Sequence, residues 1–348
     1  MSSDDDNKKA TCLVDWTAFV QGPAAANVTS VTSATATLLF DTQSLLGEGI
    51  VYDDAKQEVV WCDILGRKFH RLPLGSGTLE TVELPKMLGS LGLLDSSSSK
   101  FDGSYLFAWE DGFQIYNPST LTAMTEMSQG EDVNPEKLPT RLNDGRCDPT
   151  GRRYICGGYY GDREQFRMKV FNCHWKDDSH TTLVHEPIID HVSVTNSLQF
   201  SPDGKTMYFA DSPKQQIVAY DYNLQAPDTA SLLSNERLLY KLELKGAVPD
   251  GSCVDADGYL WNATWWGGIQ SSSVRRIDPN TGQVVFEVFM PDSTSRVSCC
   301  CFAGTNLDIL FITTAAVEPD LVKEPHAGGL YAIKLAGVKG RLEHRFQV

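Results

Sequence analysis

Val194-Thr195-Asn196-Ser197-Leu198-Gln199-Phe200-Ser201-Pro202-Asp203-Gly204-Lys205 and Val248-Pro249-Asp250-Gly251-Ser252-Cys253-Val254-Asp255-Ala256-Asp257-Gly258 read as one unit written twice. Each sets an oxygen-bearing side chain ahead of a short apolar run that ends in an Asp-Gly turn, and 54 residues separate Asn196 from Asp250. Working outward, Arg141-Leu142-Asn143-Asp144-Gly145-Arg146-Cys147-Asp148 puts Asn143 53 residues before Asn196. Leu45-Leu46-Gly47-Glu48-Gly49-Ile50-Val51-Tyr52-Asp53 puts Glu48 95 residues before Asn143, close to two such steps. An interval near 50 with β-type patterning suggests propeller blades. Equivalent blade positions meet near a central axis, so Glu48, Asn143, Asn196 and Asp250 are expected to converge there on one hard cation.

The chain after Leu38 reads as strand, turn, strand. Val59-Val60-Trp61-Cys62, Tyr105-Leu106-Phe107-Ala108-Trp109 and Met207-Tyr208-Phe209-Ala210 favour strands. Asp102-Gly103, Asp203-Gly204 and Asp257-Gly258 mark tight hairpins, because glycine takes positive φ without steric cost. The expected architecture is all-β, a six-bladed β-propeller with a central metal site over residues 35–348. Its blades fall at 43–84, 85–133, 134–189, 190–244, 245–292 and 293–348, with Ala34–Asp41 pairing near Gly329–Ile333 to close the ring and remove free edges. Residues 1–34 read as a tail or linker, partly disordered, whose β-branched residues can add an outer strand.

Composition narrows the function. With 45 Asp+Glu against 30 Lys+Arg, the net charge of -15 argues against binding a phosphate backbone. No run of eighteen apolar residues predicts a membrane span, and the start Met-Ser-Ser-Asp-Asp-Asp lacks a secretory pattern. Nine cysteines without a Cys-x-x-Cys pair point to buried, reduced thiols and a cytoplasmic location. In Cys299-Cys300-Cys301 the side chains should alternate between the faces of a strand. A monomer or weak homo-oligomer is expected, without nucleic-acid or membrane partners.

The candidate residues divide by chemistry. Glu48 lies between two glycines that permit close approach and could point into a cavity, although taken alone it reads more readily as an exposed Glu on a surface turn. Arg141 and Asn143 share one face of an extended segment and can grip a polyhydroxylated ligand, with an Asx turn as the structural alternative. Asp203 belongs to hairpin chemistry, His185 and His191 are structural or exposed, and Trp265-Trp266-Gly267-Gly268 is blade packing, with lining of the ligand cavity as the alternative. Oxygen-only ligands suit Ca²⁺, Mg²⁺ or Mn²⁺ better than Zn²⁺. No GxSxG elbow, phosphate loop or dinucleotide fingerprint occurs.

These segments resemble the regucalcin (senescence marker protein)/gluconolactonase family of six-bladed propellers from about Ala36 to Phe346. The likeness is carried by LGEG at 46–49, RLNDG at 141–145, SPDGKTMYFADS at 201–212, PDG at 249–251, DADGYLWNATWWGG at 255–268, SCCCFAGTNLDILFITTA at 298–315 and GGLYAIKLAGVKG at 328–340. It implies a divalent cation, Ca²⁺ first with Zn²⁺, Mg²⁺ or Mn²⁺ as alternatives, held by Glu48, Asn196 and Asp250. Asp250 would also be the general base, and Arg141 and Asn143 would bind a small-molecule lactone, with Asn143 near the metal. Ile50 and Ser197 depart from the pattern, and Asp162 or Glu164 would supply an acidic substrate contact. The implied activity is metal-dependent opening of sugar (aldono-)lactones. A non-catalytic Ca²⁺-binding propeller and a hydrolase of other lactones or organophosphate esters are the alternatives, as is dehydration or isomerisation of a sugar acid.

Overall fold

The structure, a computed structural model, describes residues 11–95, 99–135, 137, 139–161, 165–265, 272–291, 294–317 and 321–348. Six antiparallel sheets form six blades. Blade one runs Gly47–Asp53, Glu58–Asp63, Lys68–Pro73 and Glu80–Glu83, and blade two Leu88–Gly92, Tyr105–Trp109, Gly112–Asn117 and Thr122–Ala123. Blade three is Thr140–Cys147, Arg153–Tyr160, Met168–Trp175 and Leu183–Val192, and blade four Thr195–Phe200, Thr206–Asp211, Gln216–Tyr222 and Leu233–Lys241. Blade five is Val248–Val254, Leu260–Trp265, Ser273–Ile277 and Val284–Phe289. Blade six has Val297–Ala303, Ile309–Thr314 and Leu330–Ala336, and its outer strand comes from the other end of the chain, Thr37–Phe40. That strand pairs Leu38 with Tyr331 and Phe40 with Leu330, closing the ring as the sequence suggests.

The first strand of each blade packs against the first strand of the next, all the way round. Apolar clusters fill the spaces between neighbouring sheets. The cysteine triplet shows the alternation: Cys300 enters the cluster shared with blade five, while Cys299 and Cys301 face that of blade one. All nine cysteines are free thiols.

Two expectations change. Residues 11–34, read as a tail or linker able to add an outer strand, do add strands and in addition fold onto the blades. A helix, Trp16–Gln21, is capped by Asp15, and Cys12, Val14, Trp16, Phe19 and Val20 pack on the cluster between blades six and one. Trp16 Nε1 donates to Leu74 O at 2.8 Å, and Ala26–Asn27 and Ser33–Thr35 add parallel to the outer edges of blades six and five. Residues 1–10 lie outside the described residues. Secondly, Gln129–Gly130, placed by sequence in blade two, pairs with the outer strand of blade three, because main-chain groups left on an edge strand take any partner in reach.

The C-terminal segment crosses the end of the propeller and ties its blades together. Gly340 N donates to Leu307 O of blade six at 2.7 Å, and Ala256 N of blade five to Lys339 O at 2.8 Å. Arg341 reaches Pro202 O of blade four, and Gln347 N donates to Gly151 O of blade three at 2.8 Å. Phe346 exchanges main-chain bonds with Leu93 and Asp95 at the inner edge of blade two, and Arg345 pairs with Asp53 and Asp54 of blade one. No helix among the described residues is long and apolar enough to cross a membrane.

Candidate active site

Each inner strand carries an irregularity in its pairing with the second strand at the same level. The breaks fall at Glu48/Val51, Leu88/Ser90, Leu142/Gly145, Asn196/Gln199, Pro249/Ser252 and Val297/Cys299. A bulge bends the strand and re-aims a side chain, here towards the axis. Glu48 and Asn196 flank their breaks, while Asn143 and Asp250 lie within theirs. In blades two and six the same level holds Gly89 and Ser298, which explains why the sequence period skips them. A Cβ on Gly89 would meet Leu142 O at 2.3 Å, so that position has no room for a side chain.

Glu48, Arg141, Asn143, Asn196 and Asp250 are all buried and line one cavity of about 140 Å³. The Glu48 and Asp250 carboxyls face the same cavity, near enough for each charge to bear on the other. Burial first and mutual repulsion second push the Asp250 carboxyl well above its ordinary value, and burial with Asp144 nearby pushes Glu48 up as well. Asn196 Nδ2 donates to Ser212 Oγ at 2.8 Å, and Ser212 Oγ donates to Pro249 O at 2.8 Å. That chain ties the Asn196 strand to the Asp250 strand. Asn143 Nδ2 donates to Thr195 O at 2.7 Å and to Asn196 Oδ1 at 3.1 Å. Arg141 donates to Asn143 Oδ1, with its guanidinium 4.4 Å over the Tyr159 ring.

The loops before the site strands are fixed by carboxylates at the ends of second strands. Asp63 accepts from the amides of Leu45 and Leu46 at 3.0 and 2.9 Å, and Asp211 does the same for Ser193 and Val194 at 3.1 and 3.0 Å. Ser197 takes φ 58°, the left-handed conformation that glycine adopts without strain, and its Oγ bonds Ser252 Oγ at 2.7 Å. The same conformation falls to a glycine in blade one, Gly49 at φ 60°.

The structure brings the five residues named from sequence into one cavity, where Asn143 turns its carbonyl oxygen to Arg141 and its amide to Asn196. Ser212 and Tyr159 are not among the named residues, although Ser212 closes the quoted SPDGKTMYFADS motif. Trp265 lines the cavity, the alternative to blade packing, because its strand ends at the rim, whereas Trp266, Gly267 and Gly268 lie outside the described residues, as do Asp162 and Glu164. His185 is structural, bonded to Ser128 Oγ at 2.9 Å and Glu131 O at 2.6 Å.

A hard dication fits this floor. Two buried carboxyls offer two negative charges when ionised, and Asn196 Oδ1 adds a neutral oxygen. No group of three or more His, Cys, Asp or Glu suited to a metal occurs among the described residues, so any ligand set here mixes carboxylate with carboxamide.

A bulged, carboxylate- and amide-lined cavity at the axis of a six-bladed propeller defines the protein's class. The SMP-30/gluconolactonase/LRE-like region model matches residues 46–316, and the chain belongs to that family. It is 31% identical over 305 residues to regucalcin of Gallus gallus, covering 85% of this chain and 92% of that protein. It is 30% identical over 304 residues to the Bacillus subtilis protein YvrE, provisionally named a sugar lactone lactonase, covering 86% of this chain and 94% of that one. A solved calcium-binding regucalcin from Agrobacterium tumefaciens superposes with a TM-score of 0.75 at 27% identity, covering 91% of this chain and all of that one.

Proposed function

We propose that the protein is a divalent-cation-dependent lactonase. The observation that carries this reading is the Glu48–Asp250 pair, set beside Asn196 and the Arg141–Asn143 arm in one cavity. The family likeness favours aldonolactones as substrates, and YvrE is named for sugar lactones. Ca²⁺ is the proposed cation, since the donors are oxygens and the Agrobacterium relative is titled calcium-binding. Mg²⁺ and Mn²⁺ suit the same donors, and Zn²⁺ suits them less.

When held by Glu48, Asn196 and Asp250, the cation supplies a Lewis acid for the ester carbonyl. Asp250 accepts the proton of the attacking water. Arg141 donates to a substrate oxygen and fixes the ring for attack, while Asn143 steadies Arg141 on one side and Asn196 on the other. Ser212 keeps Asn196 turned inward. A pure cation buffer has no use for the Arg141–Asn143 arm, which supports an enzyme over a non-catalytic calcium-binding propeller. The nine free thiols support a reducing, cytoplasmic setting.

A panel of γ- and δ-lactones assayed with Ca²⁺, Mg²⁺, Mn²⁺ or Zn²⁺ tests the reading. Hydrolysis that appears with cation and disappears with chelator is expected. Stoichiometric cation binding with no turnover on any lactone would favour the non-catalytic alternative.

A further inference from the structure

The amide and hydroxyl donors of the cavity floor are largely engaged with one another, which leaves Arg141 Nε and Nη2 and the Glu48 and Asp250 carboxyls to meet the ester group and its water. Asn143 Nδ2 is already shared between Thr195 O and Asn196 Oδ1, and Asn196 Nδ2 is spent on Ser212 Oγ. Ser212 Oγ in turn gives its proton to Pro249 O, and Arg141 Nη1 is taken up by Asn143 Oδ1 and Leu142 O. Above that floor the described wall is apolar. Leu65, Tyr159, Val194, Val248, Trp265 and Val317 face the cavity, and Leu65, 39% exposed, stands at its mouth.

An aldonolactone presents several hydroxyls around its ring. A hydroxyl moved from water against Val194 or Trp265 loses its partners without replacement, whereas a methylene moved there gains. The volume of about 140 Å³ is close to the roughly 150 Å³ of an apolar cavity known to hold benzene, so one six-membered ring fits. A ring substituent would then extend towards Leu65 and the mouth.

Resting on the lactonase reading but departing from the sugar lactones that the family likeness favours, we infer that this chain prefers lactones with an apolar ring substituent, alkyl or aryl. The ester carbonyl sits over Glu48, Asn196 and Asp250, where the polar groups are. The substituent lies against the side chains of Trp265, Val317 and Leu65.

The test compares kcat/KM of the Ca²⁺-loaded wild type on δ-gluconolactone, on δ-decanolactone and on dihydrocoumarin. The expected result favours one or both apolar lactones by about tenfold or more, the discrimination that one or two buried methylenes supply. Leu65→Ser should narrow that ratio chiefly through a higher KM for δ-decanolactone. Equal or better kcat/KM on δ-gluconolactone overturns the inference and leaves the lactonase reading standing. No hydrolysis of any of the three by cation-loaded protein overturns both.

Discussion

Asp250 has two proposed jobs, ligand and base, and one substitution separates them. Asp250→Asn keeps the shape and one oxygen but removes the charge and the proton acceptor, so kcat at saturating cation should fall roughly 10²–10⁴-fold. Recovery of wild-type kcat with excess cation would leave Asp250 a ligand only. Arg141→Ala should raise KM more than it lowers kcat, since it removes a substrate donor and leaves the floor carboxyls in place; unchanged kinetics on every active lactone would end the clamp assignment. A third residue reports on pH. His70 stacks on Trp61 with ring centroids 4.9 Å apart, bonds Thr81 Oγ1 at 2.9 Å, and leaves Nε2 without a partner. Burial pushes it down to about 3. Its neutral form is favoured in the fold, so its contribution is complete above about pH 6.5 and is lost as pH falls towards 3. By pH 5 the loss is about 2 kcal/mol, and His70→Phe should flatten the stability profile between pH 7 and 5 by that amount in denaturant titrations. The floor residues were legible in the sequence because the bulge repeats at one level of successive blades and imposes their spacing. Ser212 and Tyr159 were not, because each reaches the cavity from a position where an ordinary hairpin or packing role reads equally well, while Trp265 was open to both readings.

At the scale of elements, the strand pattern and the closing strand were legible, since period-two alternation and Asp-Gly turns report local geometry. The helix Trp16–Gln21 was not, because it has six residues and owes its place to the apolar groove beneath it. The C-terminal crossing was equally hidden, as its contacts are long-range and singly weak. Phe346 anchors it: fully buried, it packs with the cluster between blades two and three and forms a bridge with Leu94. Phe346→Ala should destabilise the protein by about 3–5 kcal/mol through the cavity it leaves. An unchanged denaturation midpoint would show that the crossing segment is not coupled to the blades.

For the whole molecule, strand pairing and blade packing owe nothing to a cation, so a chelated protein should keep its far-ultraviolet circular dichroism. Cation binding should still stabilise by mass action, about 2.7 kcal/mol at a hundredfold excess over Kd. The closed ring with two chain-end fastenings is what lets a floor made from four blades hold its geometry. The central claim is that Glu48, Asn196 and Asp250 hold one cation on which lactone opening depends. The most direct measurement strips the protein with chelator, titrates Ca²⁺ back, and records bound cation and hydrolysis of an active lactone in the same samples. The stripped, folded protein should show no turnover, and activity should rise in proportion to occupancy up to one cation per chain. Full activity in the cation-free protein would contradict it.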